Sequence, residues 1–305
     1  MITTDTLSTC IRPMIKASPG KKLVVADLSA IENRALMWLS GCDEGLKVYA
    51  DGKDPYIDFG VRLFGIPYEE ITKAQRQLCK PAVLGCGYGL GPGQERRLAN
   101  GQIELTGLRK YAQGLGVTLD ARQSAGMVNT FREEFYPVVE YWRYLEQAFH
   151  AAVKTGRRQQ VGAVYLGLIG SKENPLALYI KLPSGRPLYY MNPRSWQGAK
   201  GIEIRFDGLR NGQWWSVTAW GGVLCENVVQ AVSRDVLVEG MFRAEGMGLP
   251  IIGHSHDELI TEVPDTKEFE TAVEMLEASM EADIDWAPGL PLAAEGWEGE
   301  RYEKQ

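Results

Sequence analysis

Asp27-Leu28-Ser29-Ala30-Ile31-Glu32-Asn33-Arg34 is the stretch on which the fold turns. The residues before it, Leu23-Val24-Val25-Ala26, are apolar, partly β-branched and few, which predicts a buried strand. Asp27 falls at the end of that strand. A carboxylate there is costly to bury without a partner, and a divalent cation would serve as one. Beyond Ser29, the residues Ile31, Ala35, Leu36 and Leu39 recur at helical spacing, so a helix leaves the strand. The plainer reading has Asp27 and Ser29 only capping that helix, and the stretch alone does not decide between the two.

Working outward, the 305 residues are 45% hydrophobic and 24% charged, a soluble globular composition with room for one large domain or two. No apolar run approaches the ~20 residues a membrane helix needs. The first residues lack a secretory signal pattern, and the five cysteines (Cys10, Cys42, Cys79, Cys86, Cys225) are scattered with no C-x-x-C pair. They read as the reduced thiols of a cytosolic protein, not as disulfides or zinc ligands. The net charge is −6, but Glu239–Gln305 holds 17 acidic and 4 basic residues, which leaves +7 on residues 1–238. A basic body with an acidic end suits a phosphate-binding groove on one part only.

Several further elements follow from local pattern. Tyr56–Phe64 reads as a helix, and Thr72 can cap another that carries Arg76, Lys80, Leu84 and Tyr88. Residues 119–154 are long and amphipathic, with Pro137 as the expected break and an aromatic stripe that reads as core. Residues 160–225 change to short strands, with a hairpin turn at Pro183-Ser184-Gly185-Arg186. Residues 226–245 and 266–284 are expected helices, and Trp286–Gln305 reads as irregular.

Arg76, Lys80, Leu84 and Tyr88 recur every four residues, so an unbroken α-helix would carry them on one drifting face over about 18 Å. Two cations followed by an apolar and an aromatic group suit a nucleotide, although an ordinary basic helix face has the same pattern. The glycines after Leu84 match neither the Rossmann nor the P-loop fingerprint. His256-Asp257-Glu258 sits between two short apolar runs, a hairpin with acid at its tip. Two like charges ~4 Å apart at a dielectric near ~20 repel by about 4 kcal/mol, and a bound Mg²⁺ would remove that cost. An exposed polar turn is the plainer reading.

Taken in order, these three constellations resemble family A DNA polymerases, especially the phage branch. The first motif of that family, D-x-S-x-I-E-x-R, is met by Asp27, Ser29, Ile31, Glu32 and Arg34. The second, R-x-x-x-K with an aromatic four on and Tyr-Gly four further, is met by Arg76, Lys80 and Tyr88-Gly89, with Leu84 in place of the aromatic. The third is His256-Asp257-Glu258, and Gln230 resembles the family's DNA-contacting glutamine. Phe135-Tyr136-Pro137 and Leu182–Arg186 are also phage-like. The resemblance covers nearly the whole chain.

It implies an α+β fold: a palm, with an antiparallel sheet packed on helices, and a mostly helical fingers subdomain. The expected divisions are residues 1–43 and 214–305 for the palm and 44–213 for the fingers and insertions. It also implies two Mg²⁺ ions held by Asp27, Asp257 and the Leu28 carbonyl, with Glu258 in support. The triphosphate would meet Arg76 and Lys80, and Lys80 could protonate the leaving pyrophosphate. Leu84, Tyr88 and Glu32 would surround the sugar, while Arg34, Gln230 and His256 would touch DNA. Primer-template DNA and dNTPs would be the partners.

Only 26 residues precede Asp27, so a thumb and an exonuclease are expected to be absent, and a separate polypeptide supplying them is the expected partner. One edge of the palm sheet is then expected to be open. Two other readings stand beside this one: a catalytically weak DNA-binding fragment, and an enzyme like the single-subunit RNA polymerases. Glu32 discriminates against the latter, because that family does not carry I-E-x-R.

Overall fold

The computed structural model describes residues 11–198 and 201–303. In chain order, β1 (Lys21–Leu28) leads into α1 (Ile31–Ser40), α2 (Asp43–Ala50), α3 (Pro55–Phe64) and α4 (Lys73–Gly85). A small hairpin, β2 (Glu95–Arg97) and β3 (Ile103–Leu105), precedes α5 (Gly107–Gly114), α6 (Ala121–Glu134) and α7 (Tyr136–Thr155). Six strands follow: β4 (Gln159–Val161), β5 (Val164–Gly170), β6 (Pro175–Lys181), β7 (Pro187–Gly198), β8 (Gly201–Arg210) and β9 (Gln213–Ala219). The chain ends with α8 (Gly221–Gly246), β10 (Ile251–Ser255), β11 (Glu258–Pro264), α9 (Ala272–Glu281) and β12 (Ala294–Gly299). It divides into two compact units, residues 1–32 with 231–305, and residues 33–230.

The first unit is built on a four-stranded antiparallel sheet of order β10-β11-β1-β12. The run Leu23 to Ala26 is wholly buried, as a continuous apolar strand must be when both of its faces are covered. α9 packs on β1 and β12. On the opposite face Leu23, Val25, Ile260, Ala17 and Tyr302 form a core, with Trp297 stacked on Tyr302 at 6.2 Å.

One expectation fails here. Trp286–Gln305 is not irregular throughout, because Ala294–Gly299 is a strand. It pairs with β1 from Leu23↔Gly299 to Leu28↔Ala294, so the sheet continues past β1 instead of ending there. Gly296 disguised the strand, and it has a packing role. A Cβ there would come within 2.6 Å of Val273 Cγ1, so glycine lets α9 lie close on β12.

The second unit combines α2–α7, most of α1 and the first turns of α8 with the six-stranded antiparallel meander β4-β5-β6-β7-β8-β9. Thr72 caps α4 in a reciprocal capping box with Gln75. The amphipathic stretch is two helices that break at Phe135, and Pro137 lies in the first turn of α7, where its missing N–H costs nothing. Phe131, Tyr141, Trp142, Leu145 and Phe149 are buried, so the aromatic stripe is core. α7 covers one face of the meander, with Phe149 edge-on to Tyr190 at 6.1 Å and Tyr190 edge-on to Phe206 at 4.9 Å. Leu182 and Arg186 close the expected β6–β7 turn.

Candidate active site

β1 and β11 pair antiparallel in a register that sets Asp27 opposite Glu258. One residue on, the Leu28 N–H donates to the Asp257 carbonyl at 3.1 Å. The ends of two strands that lie more than two hundred residues apart in sequence therefore bring Asp27, Leu28, Asp257 and Glu258 together. Ser255 pairs with Glu258, which leaves His256-Asp257 as a two-residue turn with φ +55 at His256. A positive φ at the first central position is the turn geometry that glycine usually supplies. A histidine held there stores of order 1–3 kcal/mol of strain, a pattern typical of sites under functional constraint.

The exposed His256 ring lies between two acids. Its Nδ1 is 3.1 Å from Asp257 Oδ1 and its Nε2 is 3.6 Å from Glu32 Oε1. Glu258 points elsewhere: its Oε2 accepts a hydrogen bond from the Tyr302 hydroxyl and lies 3.5 Å from the Arg12 guanidinium. Arg12 in turn sits 5.1 Å from the Tyr302 ring centre. Burial, then the Glu258 carboxylate, pushes the Tyr302 hydroxyl up to about 12, so it stays a donor.

Among the described residues, no three His, Cys, Asp or Glu side chains gather closely enough to hold a metal unaided. Asp27, Asp257 and the Leu28 carbonyl would nevertheless offer hard oxygen donors at these strand ends. Mg²⁺ suits such a set, because it takes few protein carboxylates and completes its shell with water and phosphate oxygens.

The second constellation belongs to the second unit. Arg76 lies on α4, where its Nε and guanidinium nitrogen reach Asp54 Oδ2 at 2.8 and 2.7 Å, and its plane lies 5.0 Å from the Tyr56 ring centre. Asp54 also caps α3, so one carboxylate both starts a helix and aims the arginine. Lys80 and Leu84 share α4, but Tyr88 does not. α4 ends at Gly85, and a short 3-10 turn, Cys86–Tyr88, follows, so the single helical face expected for all four residues stops at Leu84.

Packing shapes that turn. Trp142 Nε1 donates to the Gly87 carbonyl at 2.9 Å. A Cβ on Gly89, at φ +80, would come within 1.9 Å of Trp220. Asn33, in the first turn of α1, holds α4 through a 3.1 Å bond from Nδ2 to the Val83 carbonyl.

Gln230 is exposed on α8. Arg34, expected on DNA, is buried with its guanidinium 4.6 Å from the Tyr49 ring centre. Tyr302, Arg12 and Asp54 escaped the sequence reading, since each acts on a motif residue from a segment without any pattern of its own. Cys42, Cys79, Cys86 and Cys225 are free and buried, and Cys10 lies outside the described residues. Among the described residues, no helix is long and apolar enough to cross a membrane.

Several known proteins are similar to this chain. The DNA polymerase of Bacillus phage SP02 is 32% identical over 305 residues, which covers 98% of this chain and 44% of that protein. The thermostable DNA polymerase I of Thermus thermophilus is 35% identical over 80 residues, 26% of this chain and 10% of that one. Among solved structures, the POL domain of Pol1 from M. smegmatis, in complex with DNA primer-template and dNTP, matches with a TM-score of 0.60 at 19% identity. That likeness of fold covers 96% of this chain and 42% of the other. The chain thus spans less than half the length of these relatives. The profile of DNA polymerase family A matches residues 2–161, more than half of the chain, and with these relatives it shows that the chain belongs to that family.

Proposed function

We propose that this chain carries the nucleotidyl-transfer centre of a template-directed DNA polymerase acting in DNA replication, which joins a dNTP to a primer 3′-OH. The observation that carries the reading is the pairing of the β1 and β11 ends, with Asp27 opposite Glu258 and the Leu28 N–H on the Asp257 carbonyl. Asp27, Asp257 and the Leu28 carbonyl would hold two Mg²⁺ ions. Bound there, the metals would lower the pKa of the primer hydroxyl and neutralise charge on the triphosphate. The first unit is the proposed palm, and the second contains the fingers.

The chain's own residues supply the rest. Arg76, already aimed by Asp54, and Lys80 are assigned to the triphosphate. Lys80 is also the proposed proton donor to the leaving pyrophosphate. Leu84, Tyr88 and Glu32 are assigned to the sugar, and His256 and Gln230 to the DNA. Glu258, engaged by Tyr302 and Arg12, fits a supporting role better than that of a metal ligand. Arg34, packed on Tyr49, is assigned to holding α1 against α2.

Primer extension tests the reading, with Mg²⁺ and either dNTPs or NTPs. It is run with the chain alone and with a candidate polypeptide bearing thumb and exonuclease, the proposed partner. Asp257→Asn keeps the shape and removes the charge, and it is expected to cut extension by at least about a thousandfold, since several kcal/mol are lost. Extension by Asp257→Asn at the wild-type rate would overturn the metal assignment. A wild type that prefers NTPs would point to the RNA polymerase reading. Tight DNA binding with no extension in either setting would point to a non-catalytic fragment.

A further inference from the structure

Between Gly156 and Trp220 the chain carries nine Lys or Arg and three Asp or Glu, a net of +6 against −6 for the whole chain. This basic segment is the meander β4–β9. One face of the meander lies under α7, and the other carries a row of three aromatic residues and a leucine. The pairs Tyr179↔Tyr189, Met191↔Asp207 and Leu209↔Trp214 place Tyr179, Tyr189, Leu209 and Trp214 on that outer face in four successive strands. At ~4.8 Å between strands the row is about 14 Å long. Tyr189 is 57% exposed, and Leu209 and Trp214 are each 65% exposed.

Cations flank the row, and two of them pair with acids of the same face, Arg194 with Asp207 and Arg205 with Glu203. The pairs Arg194↔Arg205 and Trp196↔Glu203 fall on the same face, and the Arg205 guanidinium sits 5.0 Å from the ring centre of Trp196. Arg194 is held on this face by Asp207 at 2.6 Å. Lys181, two residues along β6 from Tyr179, shares the face and is exposed.

Large apolar groups left open in one row mark an interaction surface. The core of a protein–protein interface is depleted of charge, whereas this row has Lys181 on one side and Arg194 and Arg205 on the other. Open aromatic rings among cations suit unpaired bases and their phosphates, and an antiparallel sheet bearing stacked aromatics is an established way to present them. A duplex hides its base faces in its own stack, and a single strand offers them. We propose that the outer face of β4–β9 binds single-stranded DNA. Bases would stack on Tyr189 and Trp214, and phosphates would meet Lys181, Arg194 and Arg205. The choice of DNA over RNA rests on the proposed function, while the binding itself does not.

The test is fluorescence anisotropy with a labelled dT oligonucleotide of about 20 nucleotides, with an rU oligonucleotide and a blunt duplex as parallel arms, all without nucleotide or metal. Omitting both separates this result from any failure of catalysis. Trp214→Ala and Tyr189→Ala, both exposed positions, should keep the wild-type circular dichroism spectrum and each weaken dT binding about tenfold. Their duplex affinity should stay unchanged. Four outcomes would overturn the proposal: wild-type dT affinity in both variants, no dT binding by the wild type, an equal loss on the duplex, or sedimentation showing that the substitutions abolish self-association and leave DNA binding intact. An rU affinity well above that for dT would overturn the assignment to DNA.

Discussion

The hydroxyl of Tyr302 donates to Oε2 of Glu258, so a residue from the far end of the chain holds the glutamate of the His256-Asp257-Glu258 turn. Arg12 approaches the same oxygen from the other end of the chain, at 3.5 Å. Glu258 is therefore placed by two segments that carry no motif, and its own strand brings it opposite Asp27.

Tyr302→Phe removes that donor and keeps the ring on Trp297. Loss of one hydrogen bond to a charged group should cost about 1.5–3 kcal/mol of stability, read from the urea midpoint. If Tyr302 positions Glu258, kcat for extension should fall while KM for the nucleotide holds. Equal kcat and a shifted midpoint would leave it with packing alone.

Glu32→Ala addresses sugar choice. Glu32 lies beside His256 and is assigned to the sugar, where a 2′-hydroxyl would meet its carboxylate. Relative to dNTPs, kcat/KM for NTPs should rise about tenfold, which corresponds to ~1.4 kcal/mol of lost discrimination. An unchanged ratio would remove Glu32 from that role.

Gly89→Ala tests the turn after α4. Its Cβ would fall 1.9 Å from Trp220, at a φ of +80 that side chains rarely adopt. Overpacking and backbone strain together predict a loss of about 2–4 kcal/mol, measured by chemical denaturation. An unchanged midpoint would mean that Trp220 moves aside freely.

His150 supplies a pH dependence. Its Nδ1 is 2.8 Å from Ser195 Oγ, its Nε2 is buried without a hydrogen-bond partner, and burial lowers its pKa against a smaller opposing pull from Glu146. Below the ordinary value near ~6.5 the unfolded chain binds a proton that the folded chain does not. Stability from this group is therefore complete above that value and lost as pH falls below it, at no more than about 1.4 kcal/mol per pH unit. His150→Gln should flatten the wild-type profile between pH 7.5 and 5.5, and parallel profiles would contradict the assignment.

The legible parts of this chain are those whose signal is local. Leu23–Ala26 followed by Ile31, Ala35 and Leu36 announces a strand and a helix, and Pro183–Arg186 announces a turn. His256-Asp257-Glu258 between apolar runs announces the acidic hairpin. The illegible parts depend on partners distant in sequence. Ala294–Gly299 has poor strand propensity, and its pairing with β1 and the closeness of α9 at Gly296 override that preference. Tyr88 leaves the helical face because Gly85 and the 3-10 turn end α4 early, a choice reinforced by Trp142 on the Gly87 carbonyl. Asp54 lies 22 residues before Arg76, and no periodicity links the two.

The position of β1 between β11 and β12 also sets a timetable for folding. Asp27 pairs with Glu258 on one side and with Glu295 on the other, so its strand waits for 231 and then 268 residues of further chain. At roughly 5–20 residues per second of synthesis, that is about 10–50 s during which an apolar strand is present without either neighbour. Contacts this distant in sequence are slow to close. A ribosome stalled after α8 would therefore expose Leu23–Ala26 to chaperones or to aggregation, and the two aspartates would meet only when the last strands emerge.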